Sequence, residues 1–254
     1  MKKIILSILA GCALLSSTSF AAAFKGPGLG GASGLIGIPS ARTSWEGSGS
    51  TSMGLDAGMH YLSQGEAMAP KMLITLFDRW ELGGMYLGQN NANAFGLNTK
   101  FRFLPWTGQG NSALAIGYRM DNGLTTSSTT HQLYFTTTYG GQFFGMSAES
   151  TMVLGKSFGD FTRSGDIDFG MGFELDFFPS LFKGYLHWIN DFSNFSWNAW
   201  SRSTSTNRGI FNTGWRIAVL KNHSKLKFDI DILGTDLLDD NRGFGIGGVF
   251  GLRF

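Results

Sequence analysis

The chain has a single cysteine, Cys12, among its 254 residues. That excludes a disulfide framework and any metal site built from several thiolates. Proline is scarce, at 5 residues, so little interrupts long extended segments. An excess of one charge is lacking too. Lys and Arg number 20 against 18 Asp and Glu, and loss of Lys2 and Lys3 with an N-terminal leader would leave 18 against 18. A neutral chain carries no electrostatic footprint for nucleic acid. Beyond the leader, no segment approaches the ~18 consecutive apolar residues of a membrane helix. Glycine, at 37 residues, and phenylalanine, at 23, are abundant instead. Long strands with small residues on one face and aromatics on the other produce that balance.

Residues 1–23 read as a secretory signal. Lys2 and Lys3 precede an almost wholly apolar run from Ile4 to Leu15, and Ser16 to Ala23 are small or polar apart from Phe20. Leu9-Ala10-Gly11-Cys12 also matches a lipoprotein box. Against acylation of Cys12, the box comes very early and the apolar run continues through Ala13, Leu14 and Leu15. Cleavage near Ala23 leaves a mature chain without cysteine.

From Gly49 onward the pattern has a period of two, the signature of strands with two unlike faces. In Asp166–Phe178, the residues Ile167, Phe169, Met171, Phe173, Leu175 and Phe177 share one face. In the last stretch, Phe244, Ile246, Gly248, Phe250, Leu252 and Phe254 alternate with small residues and Arg253. Twelve such segments are predicted, among them Gln142–Lys156 after a turn at Gly140-Gly141, and one long strand over Leu181–Trp200. With that long strand, the connections alternate between short and long, as the two ends of a membrane barrel require. The expectation is an all-β fold: a transmembrane, antiparallel, up-and-down β-barrel of about twelve strands over residues 49–254, preceded by a Gly/Ser-rich segment over residues 24–48.

A strand with an apolar face and a C-terminal aromatic resembles the terminal strand of bacterial outer-membrane β-barrels. The resemblance implies a place in the cell outer membrane, contact with its lipid, and reading of Phe250, Leu252 and Phe254 by the barrel-assembly machinery. Gly34-Leu35-Ile36-Gly37-Ile38-Pro39-Ser40-Ala41-Arg42 is similar to a segment near the N-terminus of YjbH-type outer-membrane proteins associated with exopolysaccharide. It covers nine residues. Read without the resemblance, residues 24–48 are a periplasmic lead-in or a segment folded into the barrel mouth. Gly28-Leu29-Gly30-Gly31 lacks the Lys-Ser/Thr end of a phosphate loop and follows no strand, so it is not one.

The faces opposite the apolar ones should line the lumen. They carry Asp56 and His60; Lys100 and Arg102; Arg119; Asp166, Asp168, Glu174 and Asp176; Arg216; Lys225, Lys227, Asp229 and Asp231; and Arg253. Charges this dense need water or partners. Inward glycines such as Gly54, Gly170 and Gly172 leave room, which favours a cavity. Twelve strands lie between the side-chain-filled barrel of eight and the open channel of sixteen, so a narrow pore and a salt-bridged core both remain open. The expected function is a porin-like passive channel for small solutes or a structural barrel. The alternatives are a lipid-directed outer-membrane enzyme and a barrel serving exopolysaccharide export. An enzyme would need a paired nucleophile and base, and G-x-S-x-G is absent. His187 and Ser193 fall on one face of one strand but six residues apart, ~20 Å at the rise of a regular strand. No catalytic, cofactor-binding or metal-ligating set is therefore assigned. Asp236, Asp239 and Asp240 read as a solvated acidic loop rather than a calcium site.

Overall fold

A computed structural model describes residues 26–46, 53–89, 92–105, 111–160, 166–196, 209–238 and 242–254. The expected leader, with Cys12 and the expected cleavage site, lies outside the described residues, as do Asp239 and Asp240.

Twelve strands close into one antiparallel barrel, each bonded to its neighbours in sequence, with the last pairing to the first. They are β1 (Met53–Leu62), β2 (Ala67–Leu76), β3 (Trp80–Gln89), β4 (Ala92–Leu104), β5 (Ser112–Gly123), β6 (Ser128–Phe143), β7 (Met146–Gly159), β8 (Asp168–Asp176), β9 (Leu186–Ser193), β10 (Ile210–Ala218), β11 (Leu226–Thr235) and β12 (Gly243–Arg253). The β1–β12 seam runs from Gly54 opposite Arg253 to Leu62 opposite Gly245, and it leaves no free edge. The period of two sorts the side chains. Met59, Met72, Leu97, Ile116, Leu133, Leu154 and Phe250 stand on the outer wall, each roughly half exposed. Their neighbours along the strands point inward and are buried. An apolar exterior on a barrel whose strands are all paired with two neighbours is the form in which β-structure crosses a membrane.

Two connections differ from the sequence expectation. Gly140 and Gly141 lie inside β6, and the chain reverses four residues later, at Phe144-Gly145, both in the left-handed region (φ 48° and 76°). Gly140 is used for packing: it faces inward near Arg42 and donates to the Asn111 carbonyl at 2.6 Å. The long strand over Leu181–Trp200 is not formed. Pro179–Phe182 make one turn of helix, α1, and Lys183 and Gly184 reverse the chain with φ of 52° and 71°, so β9 starts only at Leu186 and ends at Ser193. Proline at the first helical position favours that turn. It carries Phe178, Leu181 and Phe182 outward, where Phe177 and Phe178 stack edge-on at 4.6 Å. The connection stays at the same end of the barrel, so the up-and-down alternation survives. Long connections at the end opposite the termini are confined to those after β7. The ones after β1, β3 and β5 span only four, two and four residues.

Candidate functional site in the barrel lumen

Residues 26–46 do not lead up to the barrel; they fill it. The segment has no regular secondary structure, only two isolated bridges, Pro27 to Ser33 and Gly34 to Pro39. It folds on itself through Gly28 N–H to Ala32 O (2.9 Å), Leu29 N–H to Ile36 O (2.8 Å) and Ser40 N–H to Ser33 O (3.1 Å). Gly34 is required there, because a Cβ would collide with the Ile38 carbonyl and the Ser40 amide. Leu29, Leu35, Ile36 and Ile38 are at most 2 % exposed and join one apolar cluster with Leu62, Met85, Leu87, Ile189 and Leu233 of the wall. Each such side chain contributes about 1.5–3 kcal/mol when fully buried. The inward glycines do leave room, and this segment occupies it. Trp45 lies against Gly54, Leu35 against Gly172 and Ile38 against Gly170.

Wall side chains grip the backbone of this plug. Lys100 donates to the carbonyls of Ser33 (3.1 Å), Ser40 (2.9 Å) and Arg42 (2.7 Å). Lys71 donates to Gly28 O (2.9 Å) and Arg216 to Gly34 O (3.4 Å). The Asp191 carboxylate accepts from the amides of Ile36 (2.8 Å) and Gly37 (2.7 Å), and from Asn212 Nδ2 (2.6 Å). Nearer the termini, Arg42 pairs with Glu149 (3.0 Å) and Glu46 (2.8 Å), and Arg102 reaches Glu46 at 3.3 Å. Ser44 and Trp45 both donate to Asp56, while Lys227 donates to Ser44 O and lies over the Trp45 ring at 3.8 Å. Phe195, from the connection after β9, packs against Gly170 and belongs to the apolar cluster.

The wall also pairs its own charges. Lys100 meets Glu81 at 2.8 Å, Arg216 meets Asp231 at 2.9 Å and Arg119 meets Asp121 at 2.8 Å. His60 reaches Asp231 at 3.0 Å across β12, which is feasible because Gly247 stands between them and any Cβ there would strike the imidazole. His187 lies 3.2 Å from Glu174.

Of the residues expected at the lumen, Asp56, His60, Lys100, Arg102, Arg119, Asp168, Glu174, Arg216, Asp229 and Asp231 are buried at inward positions. Asp168 accepts from Gln132 (2.8 Å) and Ser157 (2.6 Å). Asp176, Lys227 and Arg253 point inward near the mouth at the termini and are half-buried. Asp166 and Lys225 lie elsewhere. Both are exposed and outside the strands, because β8 starts two residues after Asp166 and β11 one residue after Lys225. The sequence reading missed Lys71, Glu81, Asp121, Glu149 and Asp191, all inward. Alternation could have found Glu81, between the outward Trp80 and Leu82. Inward positions of the described strands thus hold ten carboxylates (Asp56, Glu81, Asp121, Glu149, Asp168, Glu174, Asp176, Asp191, Asp229, Asp231) and seven Lys or Arg (Lys71, Lys100, Arg102, Arg119, Arg216, Lys227, Arg253). Ser193 Oγ donates to Phe195 O at 2.7 Å, and His187 Nε2 sits 3.1 Å from Gly184 O, so both engage local groups rather than each other. Between Ile36–Pro39 of the plug and Asn98, Arg119, Gln132 and Tyr134 of the wall remains a cavity of about 20 Å³, room for roughly one water.

No family model matches the chain, and no curated protein matches it. Solved structures do. The NanC porin aligns at 9% identity over 78% of this chain and 98% of its own, with a TM-score of 0.53. The KdgM porin in complex with disordered oligogalacturonate (7% identity; 79% and 98% covered) and the Acinetobacter baumannii outer membrane protein Omp33 (10%; 80% and 98%) align with TM-scores of 0.48 and 0.46. At these identities the likeness is one of fold. With its apolar outer wall and charged interior, the chain is an outer-membrane-type β-barrel with a porin-like fold.

Proposed function

We propose that this protein is a porin-type conduit of the outer membrane, held shut in this structure by its own residues 26–46. The observation that carries the reading is how the plug is attached. It joins no strand of the barrel, and hydrogen bonds, ion pairs and apolar contacts hold it inside a wall already closed by β1–β12 pairing. Removing it would open a lumen without unpairing a strand. Transport supports the lining better than catalysis does, since Ser193 and His187 lack the mutual contact that activation of a nucleophile needs. The nine residues that resemble exopolysaccharide-associated proteins, Gly34 to Arg42, all fall within the plug, so the resemblance concerns the closing segment and names no solute.

The test is conductance in a planar bilayer. The mature chain should pass little current, and a chain lacking residues 26–46 should give stable steps. Lys100→Gln combined with Asp191→Asn, which loosens the seat but keeps the segment, should give flickering openings. A deletion variant that folds, migrates differently on gels when boiled and unboiled, and still passes no current would assign the barrel a purely structural role.

A further inference from the structure

We propose that the lumen, once residues 26–46 leave it, selects cations over anions. The inference rests on the conduit reading above and adds the class of solute. The plug's own fixed charges cancel, Arg42 against Glu46. The wall's do not. Three wall ion pairs do not involve the plug: Glu81 with Lys100, Asp231 with Arg216, and Asp121 with Arg119. Setting these aside leaves seven carboxylates and four Lys or Arg at inward positions, a balance of three negative charges among the described residues.

Two carboxylates make the imbalance local. Asp191 takes its backbone donors from the plug and keeps only the uncharged Asn212 amide when the plug goes. Asp229, 2 % exposed, has an Oδ2 with no hydrogen-bond partner. They stand on β9 and β11, on either side of β10, whose Arg216 is engaged by Asp231. Of the released cations, Lys100 and Arg216 lose carbonyl acceptors yet keep a carboxylate each, while Lys71 loses Gly28 O and is already counted among the surplus cations. His60 and His187 add no fixed charge while neutral. Unbalanced carboxylates in a narrow low-dielectric tube concentrate cations and repel anions.

The experiment reads the reversal potential of the chain lacking residues 26–46 in a KCl gradient at pH 8. The expected result is a several-fold preference for potassium over chloride, falling toward unity when Asp191→Asn and Asp229→Asn are added. If the deletion variant fails to assemble, the full chain is inserted and the plug unseated by urea below the barrel's own unfolding range, and the same potential is read. Current with no preference, or with preference for chloride, overturns the charge inference and leaves the conduit reading standing. Absence of current in every form overturns the conduit reading. The charge inference then stands or falls on calorimetry with spermine: salt-sensitive binding to the deletion variant but not to the full chain upholds it, and no binding overturns it.

Discussion

Lys100 shows how much one side chain carries. It is fully buried, pairs with Glu81 and holds three plug carbonyls, so it is the point where wall and plug are tied most tightly. Lys100→Met would leave the buried Glu81 carboxylate without its cation, held only by Ser33 Oγ (2.7 Å) and the Ser44 amide (2.6 Å). Breaking one partner of a buried pair costs roughly 3–5 kcal/mol. The expected outcome is a marked fall in the temperature at which the folded gel band converts to the unfolded one, with Glu81→Gln added to Lys100→Met recovering part of it. At Gly247 a Val would drive His60 from Asp231, and the same assay should show a loss, whereas Ser150→Val, at an exposed site on β7, should leave the band temperature within a degree or two of wild type. Alternation made most of this legible: an Asp or Lys flanked by apolar residues has one face to point to. Asp191 was less legible, because its plug partners are backbone amides 155 and 154 residues away and an amide leaves no trace in a sequence.

Among the elements, β12 is the one on which closure depends. Phe250 is half exposed on the outer wall, Phe254 is 71% exposed, and the Phe254 amide donates to Met53 O at 2.9 Å, the last bond of the seam. We expect Phe254→Asp to reduce the amount of barrel assembled in cells well below that of an Arg242→Gln variant, measured as the heat-sensitive band in outer-membrane fractions. Equal assembly of the two would dismiss a role for the terminal strand in recognition by the assembly machinery. Such a strand is easy to read from sequence. Pro179 marks the α1 turn in the sequence, but how far the turn reaches was not legible, because Leu181 to Trp188 is rich in aromatics and looks like strand, while the left-handed Lys183 and Gly184 hold β9 back to Leu186. Gly140-Gly141 misled in the opposite direction: glycine marks turns, but in a narrow barrel it also marks the places where something passes close by.

For the whole molecule, twelve strands and an apolar exterior predict a β-rich circular dichroism spectrum in detergent and precipitation on detergent removal. A mainly helical spectrum would refute the fold. The barrel itself was legible from period two and connection spacing. The filled lumen was legible only as one of two readings of residues 24–48, a segment folded into the barrel mouth, since residues 26–46 have no periodicity and their aliphatic residues do not say whether they face lipid, another chain or the inside of their own barrel. Buried as they are, they make this barrel's interior half protein core and half charged wall.

The plug's place in the chain gives it a further part. It precedes β1, and it touches both sides of the seam, Asp56 on β1 through Ser44 and Trp45, and Lys227 on β11 beside β12. Held this way, the plug braces from inside the two ends of the sheet that the seam joins, and its contacts add to those of the β1–β12 pairing. It also gives the inward charges partners where an empty tube would leave them facing one another.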